Sequence, residues 1–341
     1  MGHRERQSFS SWSGEISPSR ILIIRLHAIG DVAITFPALH NFSSLYPHAT
    51  IDYLVCPEAS PLLEAIAILG QVHVLRYASN LAERIWNAFL LGLKLKKTRY
   101  DVVIDLQRNL ISRMVRRIIA PSGWGEFDRY SLKPAGERVL ETFHKTGFPK
   151  IIPEYSLMLK PELLERARTI LANNGWDGKE KLFILNPAGL WETRNWPNDR
   201  YISLGKRIID ENNGKLLFIG TNRMANRVKN IEESFGETAI NLVDRTTLEE
   251  AFAIVQYASL MVSEDSGLMH MGWVSGIPTI ALFGSTQHRW STPLGEHTVC
   301  LHSGDLECGD CMQKICKYGD VHCLTRYSSE QVMEIVKKIL S

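Results

Sequence analysis

A turn of small and acidic residues lies in the second half of the chain, between an apolar run and a helical pattern. Residues 260–262 form the apolar run, and residues 263–267 form the turn, Ser-Glu-Asp-Ser-Gly. A helix that begins at such a turn presents unpaired backbone N–H groups and the positive end of its dipole, and these bind a diphosphate without a metal. His270, one helical turn further on, would add a donor to the same anion. The structural alternative is that Asp265 or Ser266 serves only as the N-cap of the helix.

Two further polar turns follow apolar runs that predict strands. Asp31 comes directly after Gly30, beyond the run 21–26. One carboxylate at such a strand end is a candidate general base. Residues 186–197 form the second turn, in which Arg194 would bind phosphate oxygens through two parallel hydrogen bonds. As structural alternatives, Asp31 would cap the helix that follows it, and Arg194 would lie on the surface.

The composition is that of an ordinary globular enzyme. The chain has 341 residues, of which 45% are apolar and 22% are charged, and this length favours two domains. The net charge of +2 argues against a nucleic-acid partner. No apolar run approaches the length of a membrane span, and the polar residues 1–19 contain no secretory signal. We therefore predict a disordered N-terminal tail over residues 1–19 and a cytoplasmic protein that binds no nucleic acid.

Apolar runs alternate with helical patterns in both halves of the chain. The predicted strands are 21–26, 51–55, 72–76, 101–106, 182–185, 216–219, 240–243, 260–262 and 279–283. The predicted helices are 32–46, 57–69, 81–95, 137–145, 201–211, 223–235, 248–257 and 328–340. Residues 123–161 are interpreted as loops and a linker. This alternation predicts two α/β domains with parallel sheets, in which ligands bind at the carboxyl ends of the strands.

The three turns, in this order, resemble glycosyltransferase family 9, the ADP-heptose:lipopolysaccharide heptosyltransferases. The resemblance runs from about Arg20 to the end of the chain. It implies an α/β GT-B fold, with two Rossmann-like domains whose parallel sheets face each other across a cleft. It also implies an N-terminal acceptor-binding domain over residues 20–160. A C-terminal nucleotide-sugar-binding domain would cover residues 161–341, including a cysteine-rich loop and a final helix.

The resemblance further implies inverting, metal-independent transfer of heptose from ADP-heptose to an inner-core sugar of lipopolysaccharide. Asp31 matches the proposed catalytic base of the family, and Thr246 falls where the family lines the adenine pocket. The positions that match donor-binding residues are Gly189, Arg194, Thr246, Asp265, Ser266, Gly267, Leu268 and His270. Residues 221–226 contain no acid, whereas some heptosyltransferases hold the donor ribose with a glutamate in this stretch. Two alternatives therefore remain. One is a family member that uses a different nucleotide-sugar donor, and the other is a catalytically silent nucleotide-sugar-binding protein of this fold.

Basic residues of the first half bear on the acceptor. We predict that Arg25, Arg108 and Arg113 bind an anionic acceptor, such as Kdo in the lipopolysaccharide core or a lipid A-linked sugar. For Arg116 and Arg117 we favour a solvated helix face. Such an acceptor would bring the protein into peripheral contact with the inner face of the cytoplasmic membrane.

Four cysteines are closely spaced near the end of the chain. They are Cys308, Cys311, Cys316 and Cys323. The first pair has the short spacing that thiolate zinc sites use, so a structural zinc is one interpretation. Reduced thiols in a packed loop are the other. We expect no other cofactor and no metal in catalysis.

Overall fold

The computed structural model describes residues 9–12, 17–76 and 80–341. The chain divides into two compact units, Met1–Met158 and Leu159–Ser341. Within the described residues, each unit contains one six-stranded sheet, with helices between successive strands. The predicted α/β class with two parallel-sheet domains is confirmed. No helix in the described ranges is both long and apolar enough to cross a bilayer.

The sheet of the first unit is parallel except at one edge. Its strands are β1 (Phe9–Ser10), β2 (Arg20–Ile24), β3 (Thr50–Val55), β4 (Val72–Val74), β5 (Val102–Asp105) and β6 (Gly123–Glu126). Their spatial order is β1-β6-β5-β2-β3-β4, with β1 antiparallel to β6. The helices are α1 (Ile29–Ala33), α2 (Phe36–Leu45), α3 (Ser60–Glu64), α4 (Leu81–Lys96), α5 (Leu110–Ile119) and α6 (Ala135–Lys145). The central strand β2 is buried after its first residue, as its continuous apolar sequence requires.

Four features of the first unit differ from the predictions. The predicted helix 57–69 is a 3₁₀ turn, Pro57–Ala59, followed by the short helix α3. The predicted helix 32–46 is two helices, α1 and α2, and the second begins with Pro37 in its first turn. The segment 123–126, predicted as loop, is strand β6, which the pattern hid because two of its four residues are glycines. Within the predicted tail, Phe9–Ser10 pair with β6, so this part is ordered. Residues 1–8 and 13–16 of that tail lie outside the described residues.

The sheet of the second unit is parallel throughout. Its strands are β7 (Lys181–Asn186), β8 (Gly214–Gly220), β9 (Ala239–Val243), β10 (Ala258–Glu264), β11 (Thr279–Leu282) and β12 (Thr298–Leu301). Their spatial order is β12-β11-β10-β7-β8-β9. The helices are α7 (Pro161–Asn173), α8 (Asn198–Asn212), α9 (Ala225–Glu232), α10 (Leu248–Val255), α11 (Gly267–Val274), α12 (His288–Ser291), α13 (His322–Thr325) and α14 (Ser329–Leu340). Central strands β7 and β10 therefore end side by side, which places the turns after them next to each other.

Candidate functional site

Strand β10 and helix α11 form the strand–turn–helix unit that the sequence predicts. Ser266 is the N-cap of α11, and its hydroxyl accepts a hydrogen bond from the Met269 N–H at 3.2 Å. The Asn186 side chain donates to the same hydroxyl at 2.9 Å, which links the end of β7 to this turn. The N–H groups of Gly267 and Leu268 lie in the first turn of the helix, where backbone donors have no intrahelical partner. The cap and an anion site are compatible, because the Ser266 side chain satisfies a different N–H group.

Arg194 lies against this turn, held by Asp265. Its Nη2 is 3.0 Å from Asp265 Oδ2, and it also donates to the Asp265 carbonyl oxygen. Thr286 donates to the same carboxylate at 2.8 Å. The guanidinium carbon lies 5.4 Å from the centroid of the Trp191 ring. Arg194 is therefore fixed beside the N-terminus of α11, with part of its charge balanced by Asp265.

His270 is buried one turn into α11. The Trp273 indole N–H donates to His270 Nδ1 at 2.9 Å. An imidazole nitrogen that accepts a hydrogen bond carries no proton, so the neutral ring carries its proton on Nε2. His270 is thereby set as a hydrogen-bond donor through Nε2.

The turn after β7 is organised by a buried ion pair that the sequence did not reveal. Glu264 is fully buried and lies 2.8 Å from Arg227 Nη1. Its carboxylate accepts the N–H groups of Gly189 at 2.5 Å and Trp196 at 2.7 Å. Burial raises the pKa of Glu264, and the Arg227 charge opposes that rise. Gly189 is required here, because a Cβ would lie only 2.5 Å from the backbone carbonyl oxygen of Arg194.

Thr246 lies between β9 and α10, at the same carboxyl edge of the sheet. Strand β9 is three strands away from β10, which corresponds to about 14 Å at the usual strand spacing. The predicted donor residues are therefore spread along one edge of a single sheet. The acid-free stretch after β8 forms a short 3₁₀ turn, Asn222–Met224, at this edge. Glu264, at the end of β10, is fully buried and faces the protein interior.

Asp31 lies in the first turn of α1, at the carboxyl end of β2. Its Oδ2 is 2.6 Å from Arg25 Nη2 and accepts the Ala28 N–H at 3.3 Å. Asp31 is not the N-cap residue that the structural alternative proposed, because helix α1 begins at Ile29 and Ala28 is the N-cap. Asp31 instead accepts the backbone N–H of that N-cap residue. The Asp31 side chain remains 39% exposed, so one face of the carboxylate is accessible to a ligand.

Arg138 is a neighbour of Asp31 that the sequence did not single out. It is buried on α6, its guanidinium lies 4.6 Å from the centroid of the Phe127 ring, and Arg25 lies 5.3 Å from the same centroid. Burial lowers the pKa of Arg138, the charge of Arg25 lowers it further, and Asp31 acts in the opposite direction. A basic residue inside an apolar helix pattern was the only signal in the sequence.

Glu126 forms ion pairs with three further arginines of the first unit. Arg113 binds it through two hydrogen bonds of 2.9 and 2.7 Å, Arg116 lies 2.5 Å from it, and Arg108 lies 3.4 Å from it. Burial raises the pKa of Glu126, but Arg113 and Arg116 outweigh this and hold it below the ordinary value. The solvated face predicted for Arg116 is wrong, because its guanidinium is buried 3.6 Å from the centroid of the Trp124 ring.

The cysteine-rich loop is not arranged as a metal site. The Cys316 thiol lies 3.7 Å from an Asp320 oxygen, and the Cys323 thiol lies 3.8 Å from the Thr193 carbonyl oxygen. Burial and the neighbouring thiols raise the pKa of Cys323 to about 11. Across the described residues, no group of three Cys, His, Asp or Glu side chains is placed to hold an ion. The structure therefore does not support the zinc interpretation of Cys308, Cys311, Cys316 and Cys323. The loop instead packs against the turn that carries Arg194, where the Thr193 hydroxyl donates to the Gln313 carbonyl at 2.6 Å.

Comparisons with known proteins bear on the family and the fold of the chain. The family model of glycosyltransferase family 9 (heptosyltransferase) matches residues 89–322. The chain is similar to lipopolysaccharide heptosyltransferase 1 of Pseudomonas aeruginosa, with 25% identity over 88% of each chain. Among solved structures, it resembles a family 9 glycosyl transferase from Veillonella parvula, with a TM-score of 0.81, 20% identity and coverage of 94% and 97% of the two chains. It also resembles the E. coli heptosyltransferase WaaC with ADP-2-deoxy-2-fluoro heptose, with a TM-score of 0.64, 18% identity and coverage of 94% and 99%. These likenesses confirm the predicted GT-B fold class.

Proposed function

We propose a specific reaction for this chain, which belongs to glycosyltransferase family 9 and is a glycosyltransferase. The reaction is inverting transfer of heptose from ADP-heptose to an inner-core sugar of lipopolysaccharide, without a catalytic metal. The observation that carries the proposal is the N-terminus of α11, capped by Ser266 and flanked by Arg194 and His270. Backbone donors and basic side chains at one helix end are suited to a diphosphate.

In the proposed donor complex, the diphosphate binds the N–H groups of Gly267 and Leu268. His270 donates from Nε2, and Arg194 supplies positive charge beside the Asp265 turn. The nucleoside extends along the carboxyl edge of the sheet toward Thr246, and Gly189 shapes the turn that it passes. The solved relative with an ADP-heptose analogue supports an adenine nucleotide in this role.

The leaving diphosphate gains negative charge as the bond to the sugar breaks. Donors that are already fixed in place stabilise that charge more effectively than water, which must reorient. Arg194 and His270 are both fixed by neighbours, Asp265 and Trp273 respectively. This set of donors supports a mechanism in which a metal ion is not needed to neutralise the leaving group.

The acceptor is assigned to the first unit, and Asp31 is its proposed general base. The acceptor hydroxyl loses its proton to Asp31 as it attacks the anomeric carbon from the face opposite the diphosphate, which inverts the configuration. Arg25 orients the carboxylate, and with Arg108 and Arg113 it would bind an anionic acceptor. The arginines around Glu126 outnumber that carboxylate, so the cluster keeps a positive charge. Peripheral membrane contact belongs to this proposal, because an acceptor carried on lipid A is anchored in a membrane.

A different nucleotide-sugar is the second candidate donor. The observation in its favour is the turn Asn222–Met224, which follows β8 and has no acid to hold a ribose. The nucleotide base and sugar could therefore differ from those of ADP-heptose while the diphosphate site stays the same.

Thermal unfolding in the presence of a panel of nucleotide-sugars tests the donor. ADP-heptose at about a hundred times its dissociation constant should stabilise the protein by about 2.7 kcal/mol by mass action. Gly267→Val should abolish this stabilisation, because the added side chain blocks the helix end, and Gly267→Ala should weaken it less. A folded Gly267→Val variant that binds ADP normally in calorimetry would exclude the α11 site. Stabilisation by another nucleotide-sugar alone would favour the second candidate.

A further inference from the structure

Helix α4 in the first unit carries an exposed apolar stripe. Trp86, Phe89, Leu90 and Leu93 follow one another at helical spacing, so they lie on one face. Their exposed fractions are 58%, 36%, 47% and 42%. The rings of Trp86 and Phe89 stack on each other, with centroids 5.7 Å apart. We call these four residues the α4 stripe. Four large apolar side chains in one exposed patch differ from apolar residues scattered singly over a surface.

The opposite face of α4 already covers the protein core. Ala88, Gly92 and Leu95 are buried there. Gly92 lies close to Ile118 of α5, since a Cβ on Gly92 would be only 3.0 Å from the nearest Ile118 atom. The helix is therefore fixed in its rotation, and the α4 stripe faces away from this core.

The C-terminal end of the helix is basic. Lys94, Lys96, Lys97 and Arg99 are exposed, and residues 84–100 contain no acidic residue. In the described ranges, none of the three lysines forms an ion pair with a carboxylate. Leu90 and Leu93 form, together with these lysines, the lining of an open depression at the helix end. Apolar and cationic groups thus adjoin on one surface.

We infer that the α4 stripe docks on an anionic phospholipid bilayer. The aromatic and leucine side chains would enter the boundary between headgroups and acyl chains, as in helices that lie in a membrane interface. The lysines would reach the lipid phosphates, where each contributes about 1 kcal/mol of binding free energy, or about a fivefold factor. The helix, about 24 Å long at 1.5 Å per residue, lies parallel to the surface in this arrangement.

Charge decides between a membrane and a second copy of the chain. A symmetric dimer through α4 would bring two copies of the basic helix end to one interface, where residues 84–100 of either copy contain no carboxylate to pair with the lysines. An anionic surface attracts the same lysines. The inference rests on the proposed function in one respect, because it assigns a surface to the membrane contact that a lipid-anchored acceptor requires. Vesicle binding needs no donor and no transfer chemistry, so its failure and the failure of the proposed reaction are distinguishable.

Flotation of the full-length protein with lipid vesicles tests the docking. The protein should bind vesicles of phosphatidylcholine mixed with phosphatidylglycerol much more tightly than vesicles of phosphatidylcholine alone. Binding should weaken as salt is added, because salt screens the lysine–phosphate attraction. Lipids brominated on their acyl chains should quench tryptophan fluorescence on binding. Trp86→Phe should remove most of that quenching while binding remains.

Two variants separate the apolar and the charged contributions. Leu90→Glu/Leu93→Glu should lower vesicle binding by at least about tenfold, because carboxylates are expelled from the interface. Lys94→Glu/Lys96→Glu/Lys97→Glu should lower it by more than about a hundredfold, from three factors of about five. The matched control is Lys145→Glu/Lys150→Glu/Lys160→Glu, which makes the same change in net charge at exposed lysines elsewhere. It should keep most of the binding.

Two kinds of result would overturn the inference. One comes from the vesicles: either the folded wild type does not bind them at low salt, or it binds and both α4 variants and the charge-matched control leave that binding equally unchanged. The other is a concentration-dependent dimer in sedimentation that dissociates in the Leu90→Glu/Leu93→Glu variant, because the α4 stripe would then be a protein interface.

Discussion

At the scale of single residues, the surroundings of Asp31 are the reason that we propose it as the general base. It is held by Arg25 and the Ala28 N–H, and it is partly exposed at a strand end. Glu126 and Glu264 lie at strand ends as well, but both are buried and committed to arginines. A base must reach its substrate, so exposure distinguishes Asp31 from these two acids.

Replacing Asp31 tests its role as the base. Asp31→Asn should lower the transfer rate by about a hundredfold or more, because the amide cannot accept the proton. Donor affinity should stay the same, since the donor site lies on the second unit. The amide oxygen can still accept the Ala28 N–H, so the helix should remain folded. The measurement is turnover with both substrates saturating, with Asp177→Asn as an exposed-carboxylate control. Near-normal turnover by the variant would assign Asp31 a structural role.

Asp105 predicts a pH dependence of stability. Burial raises its pKa to about 6, against 3.8 for the ordinary carboxyl. Because the folded state holds this proton more tightly than the unfolded state, the contribution of Asp105 to stability is fully present below about pH 4 and is lost as the pH rises through about 6. Asp105→Asn should remove this dependence, which corresponds to at most about 3 kcal/mol. Urea unfolding of both proteins across this window is the measurement, and parallel curves would contradict the raised pKa.

At the scale of elements, the sequence predicted the strands of both sheets better than the turns between them. Continuous apolar runs marked β2, β7 and β10, because a strand buried on both faces needs apolar side chains at nearly every position. Strand β6 was missed because it begins Gly-Trp-Gly, and helix α7 was missed because its start was taken for a linker. The strand–turn–helix pattern predicted the position of the turn between β10 and α11. The Glu264–Arg227 pair did not, because its partners are 37 residues apart in sequence.

That ion pair should control the turn bearing Arg194. Glu264→Gln leaves the Arg227 charge buried and unpaired, which should destabilise the protein by about 3–5 kcal/mol. Glu264→Met/Arg227→Met removes both charges and should recover part of the lost free energy of unfolding. Chemical unfolding is the measurement. It should still bind ADP weakly, because the Gly189 and Trp196 N–H groups lose their acceptor. Equal stability of Glu264→Gln and the wild type would show that the pair does not hold the turn.

At the scale of the whole molecule, the α/β class and the two parallel sheets were predictable from periodicity, and the family from three motifs in order. The basic cluster around Glu126 was not predictable, because the positions of arginines in the sequence do not show which of them contact the same carboxylate. The cysteine spacing suggested a zinc site that the geometry does not support. Spacing along the chain fixes neither the direction of a thiol nor its distance from another.

Under the proposed function, this chain transfers heptose from ADP-heptose without a metal. The most direct test is mass spectrometry of a Kdo-bearing lipid A acceptor after incubation with the wild-type protein, ADP-heptose and EDTA. We expect the acceptor to gain the mass of one heptose and an equal amount of ADP to be released. An acceptor that gains mass only from a different nucleotide-sugar, or only when a divalent metal replaces EDTA, would contradict it.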